Sequence, residues 1–193
     1  MNGVCVFCGS SPGANHAYLE AATEVGGLLA RRGLTLVYGG GRVGVMGAAA
    51  DAALAAGGRV IGVIPQSLVS LEVAHLELTE LRVVNSMHER KALMGDLSDA
   101  FLVLPGGLGT MEEFFEVATW SQLGIHNKPV GLLNVAGYYD TLLAFMEHAL
   151  SEGFIPPRNR DLVMVDGDAA SLLDRMAAYH GPARQRWLDE RQR

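Results

Sequence analysis

Residues 100–113 read AFLVLPGGLGTMEE and join the strongest strand signal in the chain to a glycine-rich loop. The strand, Ala100 to Leu104, is apolar at every position, which is typical of a parallel sheet covered on both faces. The loop ends in two carboxylates, which the pattern places in the opening turn of a helix. This order of strand, loop and helix is the repeating unit of an α/β protein.

The same alternation extends over most of the chain. Runs of apolar and β-branched residues predict strands at Gly3 to Phe7, Leu34 to Tyr38, Arg59 to Ile64, Leu81 to Val84, Ala100 to Leu104, Val130 to Leu133 and Leu162 to Val165. Amphipathic segments between most of them predict crossover helices, such as Tyr18 to Arg31, Met87 to Leu97, Met111 to Leu123, Tyr139 to Glu152 and Ala169 to Ala178. We therefore predict an α/β fold with a mostly parallel sheet and helices on both faces.

Residue types at the segment ends follow the rules for helix termini. Gly33 is placed to cap the first helix at its C-terminus, and Asp168 to cap the last helix at its N-terminus. Ser86-x-x-Glu89 and Thr110-x-x-Glu113 both match the capping box, in which a hydroxyl and a carboxylate satisfy backbone N–H groups.

Length and composition limit the classes of protein. The 193 residues, 49% hydrophobic, provide one full core, so we predict a single domain over residues 1–193 whose Arg- and Gln-rich tail, 181–193, frays. The longest apolar stretch, Val43 to Ala56, is interrupted by Asp51 and lacks the roughly 20 apolar residues of a membrane span. The N-terminus shows no secretory signal pattern, and the net charge of −6 does not favour nucleic acid. We expect a cytoplasmic protein that binds neither membranes nor nucleic acid.

The two cysteines form Cys5-x-x-Cys8, a spacing found in redox pairs and metal sites. Positions three apart on a strand point to opposite faces, and no second Cys or His cluster in the sequence completes a metal site. We predict buried structural thiols and expect no metal and no cofactor.

A second glycine-rich loop, Gly39 to Gly47, contains G-x-G-x-x-G between a predicted strand and a helix, which suggests a dinucleotide site. Such a site needs an acidic residue at the end of the next strand, but that strand is followed by Pro65-Gln66. The alternatives are a phosphate-binding loop, in which Gly40 and Gly41 approach the ligand, and glycines kept only for tight packing. Together with Pro105 to Glu113, this loop predicts a mononucleotide held between two helix N-termini.

Charged residues are predicted on the helix that follows the glycine-rich loop at Pro105 and on the helix that precedes that loop. Glu112, Glu116 and Thr119 are spaced as a polar stripe on an otherwise apolar helix, which faces either a cleft or bulk solvent. At the start of the preceding helix, Arg90 and Lys91 suit the recognition of phosphate or a base, although an exposed charged turn is equally compatible with the pattern. The neighbouring His88 has no visible partner in the sequence and is interpreted as structural.

At these residues the sequence resembles the LOG family, the cytokinin riboside 5′-monophosphate phosphoribohydrolases, whose older members were often labelled lysine decarboxylases. The resemblance spans roughly Val4 to Val165 and rests on Gly39 to Gly47, Met87 to Lys91, PGGxGTxxE at Pro105 to Glu113, and Trp120 to Tyr139. It implies a Rossmann-like, doubly wound fold and a homodimer with active sites near the interface. It also implies hydrolysis of the N-glycosidic bond of N6-modified adenosine 5′-monophosphates, and of AMP, to free base and ribose 5-phosphate.

The resemblance also assigns residues. Arg90 and Glu113 match the catalytic positions, with Glu112 close enough to share the role of Glu113. The substrate-binding positions match Glu72, Lys91, Gly106, Gly107, Leu108, Gly109, Thr110, Met111, Glu112 and Thr119. Leu108 replaces a common tyrosine, which alters the fit around the sugar or base. Two alternatives stay open: a general nucleotide 5′-monophosphate nucleosidase, and a nucleotide-binding sensor without chemistry.

Overall fold

The structure is a computed structural model that describes residues 1–69 and 74–181. Its strands are β1 (Gly3–Phe7), β2 (Thr35–Tyr38), β3 (Val60–Pro65), β4 (Glu80–Val84), β5 (Ala100–Val103), β6 (Val130–Leu133) and β7 (Val163–Asp166). Its α-helices are α1 (Ala17–Arg31), α2 (Gly44–Ala55), α3 (Met87–Asp96), α4 (Leu108–Gln122), α5 (Asp140–Ser151) and α6 (Ala169–Ala177). The fraying predicted for the tail falls on 182–193, outside the described residues.

All seven strands join one parallel sheet in the order β4-β3-β2-β1-β5-β6-β7, so the predicted Rossmann-like α/β fold is confirmed. Strand β1 lies at the centre of the sheet. Strands β2, β3 and β4 follow on one side of it, and β5, β6 and β7 follow on the other side. The loops that leave β1 and β5 therefore run to opposite faces. Such a switch point, at the carboxyl ends of the strands, is where ligands bind in open α/β sheets.

The core forms one apolar layer on each face of the sheet. Strand β1 contributes to both, since Val4, Val6 and Cys8 pack towards α1, α2 and α6, whereas Cys5 and Phe7 pack towards α3, α4 and α5. Both cysteines are free and buried, which confirms the prediction of structural thiols on opposite faces. Burial raises the pKa of both thiols, so they stay protonated near neutral pH.

Three of the four predicted helix caps are confirmed. Gly33 ends α1 with a φ of +68°, which favours glycine. The Ser86 hydroxyl accepts a hydrogen bond from the Glu89 N–H at 3.1 Å, and the Asp168 carboxylate accepts one from the Ser171 N–H at 2.7 Å.

The capping box predicted at Thr110 is wrong. Helix α4 begins one turn earlier, at Leu108, with Gly107 as its N-cap and no side chain bonded to its first N–H groups. Glu112 and Glu113 consequently lie in the second turn, not the opening turn. The reason is that Gly107 adopts the extended backbone conformation of an N-cap although it has no side chain to bond the helix. Helix α4 therefore starts inside the glycine loop, and its first N–H groups are left open to a ligand.

Among the described residues, no helix has the length and apolar composition that crossing a membrane requires.

Candidate functional site

Arg90 lies at the carboxyl edge of the sheet, where the first turn of α3 passes the end of β2. It is only 4% exposed, and its Nη2 donates a hydrogen bond to the Gly39 carbonyl at 2.9 Å. A buried guanidinium is costly to desolvate and is kept where hydrogen bonds or opposite charge compensate. The exposed charged turn considered from the sequence is therefore wrong for Arg90.

Gly39 makes room for this guanidinium. A Cβ built on Gly39 would lie 2.0 Å from Arg90 Nη2, a distance that no side chain tolerates. The first glycine of the G-x-G-x-x-G motif thus serves an arginine 51 residues away rather than a dinucleotide turn.

Glu113 reaches the same region from α4. Burial raises the pKa of Cys5, the Glu113 carboxylate raises it further, and the Arg90 guanidinium lowers it. The Glu113 carboxylate also acts on Cys8, whose pKa burial has already raised. The Lys128 cation also lowers the pKa of Cys5, so the Arg90 guanidinium and the Glu113 carboxylate are two of three charges that act on this buried thiol of β1.

Lys91, the neighbour of Arg90, is also buried and binds two carboxylates of α4. Its Nζ contacts Glu112 and lies 2.9 Å from Glu116 Oε1. Burial alone would lower the pKa of Lys91, but the hydrogen bonds to Glu112 and Glu116 outweigh it and the pKa is raised. Two residues of the polar stripe on α4, Glu112 and Glu116, therefore face α3, and Lys91 holds Glu112 in place.

We expect Lys91→Met to destabilise the fold by about 1–2 kcal/mol, because it leaves the two carboxylates without their shared cation. The expected loss of stability is smaller than for a fully buried ion pair because the Glu112 side chain is 53% exposed. Urea unfolding at neutral pH measures the loss. Because the pKa of Lys91 is raised, its contribution persists below the usual value of 10.5 and disappears only as the pH rises through the raised pKa.

The matched control is Arg160→Met, which breaks the ion pair with Glu147. Both of those side chains are more than half exposed, so the change should cost less than about 0.5 kcal/mol. Equal losses in the two variants would mean that Lys91 acts as an ordinary surface cation.

The backbone of the first glycine loop, Gly39 to Gly47, packs against neighbouring segments of the chain. The Gly40 carbonyl accepts a hydrogen bond from the His75 N–H at 2.9 Å, and Gly41 forms a bridge with Ala74. A Cβ on Gly44 would lie 2.4 Å from the Ser10 carbonyl carbon. These contacts favour the packing alternative for this loop, and the role of Gly40 and Gly41 in substrate binding stays a prediction.

The second glycine loop leads into an α4 turn that is partly exposed to solvent. In its first turn Leu108 is 91% exposed, whereas Thr110 is 4% exposed. A Cβ on Gly106 would lie 2.1 Å from Thr110 Oγ1, so the absence of a side chain at Gly106 brings that hydroxyl against the loop. The remaining predicted positions here, Gly107, Gly109 and Met111, lie in the same turn and its entry.

A cavity of about 270 Å³ adjoins this turn; one wall is the predicted loop at Pro105 to Gly107, and the facing wall, formed by residues 9–13, belongs to no motif that the sequence analysis identified. It lies between the loop after β1 and the loop after β5, at the switch point of the sheet. Its lining residues are Gly9, Ser10, Ser11, Pro12, Gly13, Tyr18, Val45, Pro105, Gly106, Gly107 and Tyr138. The turn-forming run at 9–13 was a signal in the sequence, but only the strand order shows that it faces Pro105 to Gly107.

The predicted position Thr119 is exposed further along α4, apart from these contacts, and His88, interpreted from the sequence as structural, is exposed at the start of α3. The predicted position Glu72 lies outside the described residues. Within the described ranges, no group of three or more His, Cys, Asp or Glu side chains is arranged to hold a metal ion.

Comparisons with known proteins agree with these motifs. A family model described as "Possible lysine decarboxylase" matches residues 46–176. The chain is 57% identical over 180 residues to a cytokinin riboside 5′-monophosphate phosphoribohydrolase of Rhodococcoides fascians, covering 93% of this chain and 89% of that protein. It is 56% identical over 176 residues to a probable enzyme of the same name from Oryza sativa subsp. japonica, covering 91% and 78%.

The fold also matches solved structures. A molybdenum cofactor binding protein from the phototrophic bacterium Rippkaea orientalis superposes with a TM-score of 0.70 at 24% identity, over 92% of this chain and 96% of that one. At this identity the match concerns the fold alone.

Proposed function

Since this chain belongs to the LOG family of cytokinin riboside 5′-monophosphate phosphoribohydrolases, we propose that it hydrolyses the N-glycosidic bond of nucleoside 5′-monophosphates. The substrates are N6-modified adenosine 5′-monophosphates and, more slowly, AMP, and the products are the free base and ribose 5-phosphate. The observation that carries the proposal is the burial of Arg90 against the Gly39 carbonyl, at the carboxyl edge of the sheet, with the Glu113 carboxylate acting on the same β1 thiol.

The reaction needs opposite charges at two points. As the bond between C1′ and N9 breaks, the sugar gains positive charge and the base gains negative charge. Water then adds its hydroxyl group to C1′, and the other proton of the water goes to the departing base. A carboxylate below the sugar stabilises the cation, and we assign this role to Glu113.

Arg90 supplies the positive charge of the site. Its position beside Gly39 fixes the guanidinium, which stabilises the leaving base or the phosphate. Glu112 binds the ribose hydroxyls or positions the attacking water, and Lys91 acts chiefly by orienting Glu112. The two buried cations, Arg90 and Lys91, are fixed in position, so they cost little reorganisation when the transition state forms.

The 5′-phosphate contributes to catalysis as well as to affinity. The first amides of α4 carry no side-chain cap, and an anion is favoured at such a helix start. Anchored there, the phosphate places C1′ against the carboxylate, so its binding energy is used at the reacting bond.

We further propose that two copies of the chain pair through the outer face of α4. Leu108 and Phe115, seven residues apart and both exposed, lie on one face of that helix beside Glu112. Burial of such an apolar face would place the partner near the active site. A cytoplasmic location suits the two free thiols, and we treat the whole chain as one hydrolase domain.

For the dimer we expect sedimentation at twice the 20.6 kDa chain mass, and a shift to monomer in Phe115→Arg. The control is Phe154→Arg, which changes an 85% exposed side chain beyond α5 and should leave the dimer intact. A monomeric wild type, or equal effects of both variants, would contradict the proposed interface.

The activity test uses isopentenyladenosine 5′-monophosphate, AMP, CMP and isopentenyladenosine in parallel, with chromatography of free base and ribose 5-phosphate. We expect fastest cleavage of the isopentenyl nucleotide, slower cleavage of AMP and little from the nucleoside. A preference for AMP or CMP would instead indicate a general nucleotide nucleosidase. Binding without cleavage of any of them would indicate a sensor.

A further inference from the structure

We propose that His75, through its hydrogen bond to Asp51, is a positioning residue that holds the first glycine loop where it fixes Arg90. The inference rests on the proposed function and assigns His75 no contact with substrate. His75 belongs to none of the sequence motifs that predict the site. It acts on the reaction through the backbone of Gly40 and Gly39.

Two adjacent carbonyls of the loop have distant partners. The Gly39 carbonyl accepts a hydrogen bond from Arg90 Nη2 at 2.9 Å, and the Gly40 carbonyl accepts one from the His75 N–H, also at 2.9 Å. Gly40 has a φ of +79°, in the left-handed region that favours glycine. Because a run of three glycines has little rigidity of its own, contacts from outside the loop must fix the direction of the Gly39 carbonyl.

The His75 side chain is held on both of its nitrogens. It is 1% exposed, its Nε2 lies 2.8 Å from Asp51 Oδ1, and its Nδ1 accepts a hydrogen bond from the Glu77 N–H at 3.3 Å. A ring nitrogen that accepts carries no proton, so the ring proton lies on Nε2 and is donated to the Asp51 carboxylate. These two bonds fix the orientation of the imidazole.

His75 thereby joins the loop to the helix that follows it. Helix α2 begins at Gly44, and Asp51 lies two turns further along. The backbone of His75 binds the loop and its side chain binds α2, while the neighbouring Ala74 forms a bridge with Gly41. The loop that fixes Arg90 is therefore connected at its middle to its own following helix.

The exposure of Asp51 separates positioning from stability. The Asp51 side chain is 64% exposed, so in Asp51→Ala a water molecule can accept the proton of His75 Nε2. The fold should then lose little stability, as for other exposed pairs. A water molecule does not connect the imidazole to α2, however, so the tie to the loop is lost while the fold remains.

The test measures kcat, KM and thermal unfolding in Asp51→Ala and Asp51→Asn. For Asp51→Ala we expect kcat to fall about tenfold and KM to stay within about twofold, because a displaced Arg90 is felt most in the transition state. Asp51→Asn keeps an oxygen that can accept from Nε2 and should recover most of the turnover. An effect of surface charge alone would make the two variants alike and would overturn the proposal.

The matched control is Asp174→Ala, which removes a 70% exposed carboxylate of α6 that accepts a hydrogen bond from Arg32 at 2.6 Å. Its kcat should equal that of wild type. The double variant Asp51→Ala/Gly39→Ala should be little slower than Gly39→Ala, because both changes act through Arg90. Wild-type kcat in Asp51→Ala, or losses that multiply in the double variant, would overturn the positioning role.

A second measurement is independent of activity. If the wild type cleaves no nucleotide, the proposed function fails, but the nuclear magnetic resonance signal of the Arg90 Nε–H group still reports the position of the guanidinium. The signal is assigned by its loss in Arg90→Lys. A shift in Asp51→Ala and none in Asp174→Ala supports the tie, and an unchanged signal in Asp51→Ala overturns it.

Discussion

Glu113→Gln is expected to lower turnover of the nucleotide about 100-fold or more while leaving nucleotide affinity close to that of wild type. The substitution keeps the shape and the hydrogen-bonding capacity of the side chain but removes its negative charge. That charge matters little in the ground state, where the sugar is neutral, and most when C1′ becomes cationic. Single-turnover assays with saturating nucleotide measure the chemical step directly.

Two neighbouring carboxylates make this result interpretable. Glu116→Gln removes a charge one turn further along α4, where the carboxylate contacts Lys91, and should change turnover only a few-fold. Glu112→Gln should affect KM more than turnover, since Glu112 is held by Lys91 at the rim of the site. Near-normal turnover in Glu113→Gln, together with a large loss in Glu112→Gln, would transfer the charge-stabilising role to Glu112.

The strands were predictable because a parallel sheet buries both faces, and a continuous apolar run of four to six residues between turn signals is typical of such a strand. The start of α4 was not. Thr110 and Glu113 match a capping box, but Gly107 is an adequate N-cap without any side chain and shifts the helix start by one turn. Sequence patterns near glycine are ambiguous because glycine adopts the required backbone angles without a recognisable partner.

The site was only partly predictable for a different reason. Arg90, Glu112 and Glu113 were predicted as site residues from motifs, yet their environments depend on contacts distant in sequence. Nothing in the sequence couples Gly39 to Arg90, or places the loop after β1 against Pro105, because both contacts follow from the order of strands in the sheet. That order is also the reason why two glycine loops with similar sequences differ, one packed against its neighbours and the other open at a helix start.

Gly39→Ala is expected to lower kcat/KM about 100-fold although Gly39 itself contacts no reacting atom in the proposed mechanism. The new methyl group would lie 2.0 Å from Arg90 Nη2, so the guanidinium must move by an ångström or more and lose its hydrogen bond to the Gly39 carbonyl. Misplacement on this scale weakens a preorganised charge without removing it. Steady-state kinetics with isopentenyladenosine 5′-monophosphate, alongside thermal unfolding, measure the effect.

The control for this prediction is Gly95→Ala on the same helix as Arg90, where an added Cβ meets only Phe101 at 3.9 Å. That variant should retain wild-type kinetics and unfold at an equal or slightly higher temperature, since alanine favours a helix. If Gly39→Ala keeps its structure and turns over like wild type, then the site does not depend on where Arg90 is held. In that case the catalytic role of the Arg90 guanidinium would be contradicted. Arg90→Ala would be a poorer test, because removing a buried cation lowers the stability of the fold and the activity at the same time.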